Sequence, residues 1–168
     1  MKDSESLINT FKLVPEYLRS QIQEHVNDYS NWGVQLGRRF RALKLWFVIR
    51  SFGVNGLQEK VRHNIALANE LKTRIEEHEL FELLAPVEFG LVCFRFHPRG
   101  IEDTDILNRM NEKLLLAVNA TGKVYITHTK LDDKYTLRMV TCQTNIEQSH
   151  VEKAWNLIVK TAESIYNN

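Results

Sequence analysis

The apolar positions of this chain change period near residue 80. Before it they recur at helical spacing; after it short apolar runs alternate with turns. In 36–50, Leu36, Phe40, Leu43 and Phe47 fall on one helical face and Leu45 and Ile49 on another. Apolar residues on more than one face predict a helix largely buried on both sides. Arg38, Arg39, Arg41, Lys44 and Arg50 are interleaved with them, as long cations that snorkel to water from a core helix. Gly37 stands just before the helix body and Gly53 at the position after its C-terminus. A second helix is expected from Gly53 to about His78, with an apolar stripe of Leu57, Val61, Ile65, Leu67, Ala68, Leu71 and Ile75. From Phe81 the pattern predicts strands over 81–85 and 90–96, punctuated by Pro86 and Gly90. A helix capped by Asp103 or Thr104 follows, then a strand over 123–129, a turn at 131–134 and a returning strand over 135–142. Thr144 or Asn145 is expected to cap a last helix whose apolar face holds Val151, Ala154, Trp155, Ile158, Val159 and Ile165.

The order strand, strand, helix, strand, strand, helix specifies an α+β fold: a helical N-terminal arm, then a small, mostly antiparallel sheet with helices on one face. Residues 1–10 are polar, and 18–35 mix charge, amide and aromatic side chains without a clean period. This divides the chain into a loop-rich arm over 1–35 and a domain over 36–168. The 168 residues suffice for a real core. A net charge of +1 gives no bulk attraction to nucleic acid or membrane. No apolar run approaches the roughly 20 residues that span a bilayer, and the first six residues carry no apolar signal region, so a cytoplasmic protein is expected. Cys93 and Cys142 sit inside apolar runs and are expected as two buried, reduced thiols; neither has ligands at metal spacing.

The words Leu-Gly-Arg-Arg-Phe-Arg-x-Leu-Lys-x-Trp (36–46) and Gly-Leu-Val-Cys-Phe-Arg (90–95) closely resemble the C-terminal part of the group II pyridoxal-phosphate-dependent amino-acid decarboxylases, which include the aromatic-L-amino-acid, tyrosine and histidine decarboxylases. The resemblance runs from about Phe11 to about Ile165. It implies the C-terminal small domain of a fold-type I enzyme, working as a homodimer on an aromatic L-amino acid. It also implies that pyridoxal 5'-phosphate and its Schiff-base lysine belong to an upstream domain. The family's Asn-x-His-Lys-Trp lysine word is absent from these 168 residues, and no lysine here is nominated as catalytic.

The resemblance implies a catalytic role for Tyr17, in Pro15-Glu-Tyr-Leu-Arg. The family carries a tyrosine here on a mobile loop that reaches the other subunit's active site. Its phenol delivers a proton to the substrate's α-carbon once carbon dioxide has left. Relatives with phenylalanine here are aldehyde synthases, so a tyrosine implies simple decarboxylation. Without the resemblance, Tyr17 would be a packing residue beside Pro15 and Leu18. Tyr29 matches a second aromatic position of the loop and ranks below it. Gly37 matches a position beside the substrate ring, where glycine leaves room for an aromatic side chain; its plain alternative is a backbone requirement at a helix start. Arg38 and Arg39 hold a carboxylate or pin the loop, or form structural ion pairs with the upstream domain. Two departures stand out. The family has Gln-Ile-Pro where this chain has Gly33-Val-Gln35, and often a histidine where this chain has Ser20 to Gln23.

A second reading, from the element order alone, is a stand-alone α+β module that binds a small molecule without catalysis. A third, nucleic-acid binding through the basic helix, is weak because its cations alternate with large apolar residues.

Overall fold

The computed structural model describes Ser6, Asn9, Thr10 and residues 40–167, with only the backbone of Arg41. The chain divides into two compact units, Met1–Gly53 and Val54–Asn168. Helix α1, Arg41–Glu76, crosses the division and is broken there, at Gly53 (φ 63°, ψ −177°). Only glycine adopts that conformation without strain. A Cβ at this position would meet no atom within 4 Å, so the requirement for glycine is one of backbone alone.

In the first unit the described part of α1 is exposed. Phe40, just before the helix, is 74% accessible, and within it Trp46 is 54% and Phe47 57% accessible. The burial on both sides anticipated from the periodicity is therefore not met among the described residues. Arg50 lies over the Trp46 ring, 5.9 Å from its centroid, as a cation–π contact on this exposed face.

In the second unit α1 is buried at Leu67, Ala68, Leu71 and Ile75, whereas Val61 is half exposed. Strands β1 (Phe81–Leu83), β2 (Leu91–Phe96), β3 (Thr127–Leu131) and β4 (Lys134–Val140) form an antiparallel sheet of order β1-β2-β4-β3. Helix α2 is Thr104–Ala120 and helix α3 is Gln148–Tyr166. Strand alternation puts Val92, Phe94, Phe96, Leu137 and Met139 on one sheet face. Their partners in the core are the buried stripes of α2 (Leu114, Leu115, Val118) and α3 (Val151, Ala154, Trp155, Ile158). Trp155 packs 4.9 Å from Phe81, ring centroid to centroid. This is the α+β layer read from the sequence.

Three asparagines on α2 fix the helix to strand backbone. Asn111, fully buried, accepts from Phe96 N at 2.8 Å and donates to Phe96 O at 2.8 Å. Asn119 does the same for Ile126, at 2.9 Å each way. Asn108 accepts from Tyr135 N at 2.7 Å and donates to Asp133 O at 2.9 Å. A carboxamide presents one acceptor and one donor side by side, as a neighbouring strand would. This is why the expected strand over 123–129 starts only at Thr127: Asn119, not a strand, takes both backbone groups of Ile126. Asp132 and Asp133 form the tight β3–β4 turn, both with positive φ (49° and 61°).

Two further expectations change. Glu147, not Thr144 or Asn145, caps α3; its N–H donates to His150 Nδ1 at 3.1 Å. The Thr144 and Ile146 carbonyls face α1 instead, accepting from Lys60 Nζ (2.8 Å) and His63 Nε2 (3.0 Å). Of the two thiols, Cys93 is buried but Cys142 is exposed. Cys142 lies past the end of β4, against Gly90, where any Cβ would collide with its Sγ.

Replacing Asn111 with leucine keeps the volume but strands both backbone groups of Phe96. We expect Asn111→Leu to destabilise the fold by about 2–4 kcal/mol, measured by urea denaturation; Asn111→Asp at neutral pH should also destabilise, since a carboxylate cannot donate to Phe96 O.

Candidate functional site

Tyr17 and Gly37, and with them Tyr29, Arg38 and Arg39, lie outside the described residues. The structure thus places none of the side chains that the sequence singled out.

What it does assemble is a charged row on the second face of the sheet. Antiparallel pairing sets Glu82 opposite Arg95 and Cys93 opposite Arg138. Arg95 is only 5% exposed. Its Nε donates to Glu82 Oε1, while its Nη1 is buried without a hydrogen-bond partner. The same Glu82 oxygen lies 3.2 Å from His97 Nδ1. His97 Nε2 lies 3.1 Å from Ile101 O; carbonyl and carboxylate both only accept, so the two contacts are hydrogen bonds together when both ring nitrogens carry hydrogen. Glu82 thereby ties the end of β2 and the turn after it to β1. A guanidinium taken from water is costly to leave unpaired, and the carboxylate offsets that cost.

Beside it, burial pushes the Cys93 thiol above the ordinary thiol pKa, against the opposing pull of the Arg138 charge and hydrogen bond. A neutral thiol is a poor nucleophile. Among the described residues no three His, Cys, Asp or Glu side chains group to hold a metal, and no helix is long and apolar enough to cross a membrane. The row positions strands; it has no nucleophile–base couple. Sequence reasoning gave Glu82, Arg95 and His97 no role. One signal was present: an arginine inside the otherwise apolar run 91–96, which alternation places on the face opposite Phe94 and Phe96.

Comparison with known proteins gives a consistent picture. The family described as pyridoxal-dependent decarboxylase conserved domain matches residues 1–97. Tryptophan decarboxylase TDC1 of Camptotheca acuminata is 42% identical over 165 residues, covering 97% of this chain. Aromatic-L-amino-acid decarboxylase of Cavia porcellus is 38% identical over 167 residues, covering 98%. The chain spans 33% of the length of each. Among solved structures, Oryza sativa TDC with PLP and tryptamine superposes with a TM-score of 0.70 at 36% identity, over 83% of this chain and 30% of that one.

The Arg95–Glu82 pair makes an asymmetric prediction. Glu82→Leu leaves a buried guanidinium unpaired and should cost about 2 kcal/mol, discounted for the partial exposure of Glu82, whereas Arg95→Met should stay within about 1 kcal/mol of the parent. Chemical denaturation of both single variants and the double variant tests this: the double should be no less stable than Glu82→Leu alone.

Proposed function

Because this chain belongs to the pyridoxal-dependent decarboxylase family, we propose that it serves as the C-terminal part of an enzyme that converts an aromatic L-amino acid to its amine and carbon dioxide. The observation that carries this reading is its likeness, over nearly its whole length, to aromatic-amino-acid decarboxylases three times as long. The substrate class is supported by the same relatives and by the structural neighbour from Oryza sativa, a TDC solved with PLP and tryptamine. We place the enzyme in the cytoplasm as a homodimer, with 1–35 as the arm bearing the catalytic loop and 36–168 as the small domain.

A pyridoxal phosphate site needs a lysine amine, an acid for the ring nitrogen and donors for the phosphate. No such set converges among the described residues. Lys60 is spent on Thr144 O, and Lys72 lies 3.8 Å from Glu76 on an exposed helix face. Neither lysine is poised for a Schiff base, and the reading assigns the cofactor's lysine to another part of the enzyme. This chain's own contribution to the chemistry is Tyr17, whose phenol gives a proton to the substrate's α-carbon. Gly37 leaves room for the substrate ring. The exposed apolar side chains of α1 support a stretch that packs against more protein: a helix with large apolar groups on several faces is stable in water only when they are covered.

In the longer enzyme under air, Tyr17→Phe should lower amine formation by roughly 100-fold, with aldehyde and ammonia appearing in its place as dioxygen is reduced to hydrogen peroxide, followed by chromatography of amine and aldehyde. The 168-residue chain alone, assayed alongside with added pyridoxal phosphate, should form no amine. Unchanged amine turnover by Tyr17→Phe would remove Tyr17 from the reaction.

A further inference from the structure

The second unit carries a cleft of about 320 Å³ where β4 ends and α3 begins, within the lower part of the roughly 300–1,000 Å³ range of small-molecule sites. Buried Ile126, Met139 and Ala154 line it with apolar surface. Both flanking segments are held before any ligand arrives. On one side the Asn119 carboxamide clamps Ile126. On the other, Lys60 and His63 of α1 hold the carbonyls of Thr144 and Ile146.

The polar residues that line the cleft are Lys123, Tyr125, Gln143, Asn145 and His150, and no aspartate or glutamate lines it. Lys123 enters no ion pair among the described residues. His150 Nδ1 is taken by the Glu147 N–H, so in the neutral ring the hydrogen sits on Nε2 and that nitrogen donates. One cation, one ring N–H and two amides beside an apolar floor suit an anion with a hydrophobic body. A ligand ammonium would find no carboxylate to meet it. Met139 is a pliable sulfur-bearing surface that packs well against aromatic rings, and Tyr125, 72% exposed, adds an aromatic group at the rim.

We propose that this cleft binds a small aromatic carboxylic acid, with its carboxylate met by Lys123 and its ring lying over Met139 and Ile126. The inference stands on the cleft alone and is independent of the decarboxylase reading. It also sets a selectivity opposite to that of an amine: the acid without an amino group binds, and the amine without a carboxylate does not.

The test is a titration of the 168-residue chain with indole-3-acetate, its methyl ester and tryptamine, followed by backbone amide NMR. With indole-3-acetate, the amides of 123–126 and 143–150 should shift and saturate. The ester should bind about tenfold more weakly, the order expected for one charge-assisted contact. Lys123→Met should weaken the acid by a similar factor while the remaining amide spectrum stays in place. No saturable shift in these two segments, equal affinity for acid and ester, or tryptamine binding as tightly as the acid would each overturn the proposal.

Discussion

Three carboxamides on one helix hold this small unit in register. Asn108, Asn111 and Asn119 of α2 each offer a strand-like pair of hydrogen-bonding groups to backbone at a strand end or turn. Apolar burial is non-directional; by itself it would let α2 slide over Val92, Phe94 and Leu137 with little change in buried area. The amides remove that freedom. A shift of the helix by one residue would break them together and strand buried N–H and C=O groups, each costing on the order of 1–3 kcal/mol. The exit of β2, the approach to β3 and the β3–β4 turn are all set from this one helix. The floor of the cleft beside β4 is set with them, because Asn119 fixes Ile126.

The sheet then has two characters. One face is an aromatic and aliphatic core in which Phe81, Phe94 and Trp155 meet α3. The other carries Glu82, Arg95, Cys93 and Arg138 in paired positions. A buried arginine is expensive, and Glu82 accounts for only part of its donor capacity. Both faces of the small unit's sheet are given to packing and to pairing strands.

Much of the fold was legible because its signals are local. The switch from period 3.6 to period 2 near residue 80 located both halves, and the apolar stripe of α3 matched its buried residues at Val151, Ala154, Trp155 and Ile158, though Val159 and Ile165 are only partly buried and buried Ala162 was missed. The Asp103 cap and the Asp132–Asp133 turn were legible from their own side chains. The errors arose where a distant side chain replaced a local partner. Thr144 looked like a helix cap, yet its carbonyl is held by Lys60 from 84 residues away. Lys123 to Ile126 alternated like a strand, yet Asn119 holds the end of that segment. Cys142 sat in an apolar run, yet it falls past the end of β4 and reaches the surface. The candidate site was legible only as a resemblance, through Tyr17 and Gly37, because neither residue's chemistry is visible in its immediate neighbours.

The sequence by itself determined the element types, the break at Gly53 and the family, because each is written in short words or in periodicity along the chain. Only the tertiary structure decided that Arg95 would be buried against Glu82, that three asparagines would stand in for strand partners, and that a cleft lined with donors and no acid would open beside α3. Those features depend on which residues distant in sequence come within hydrogen-bonding reach. That is set by the packing of the helices on the sheet, and no local pattern encodes it.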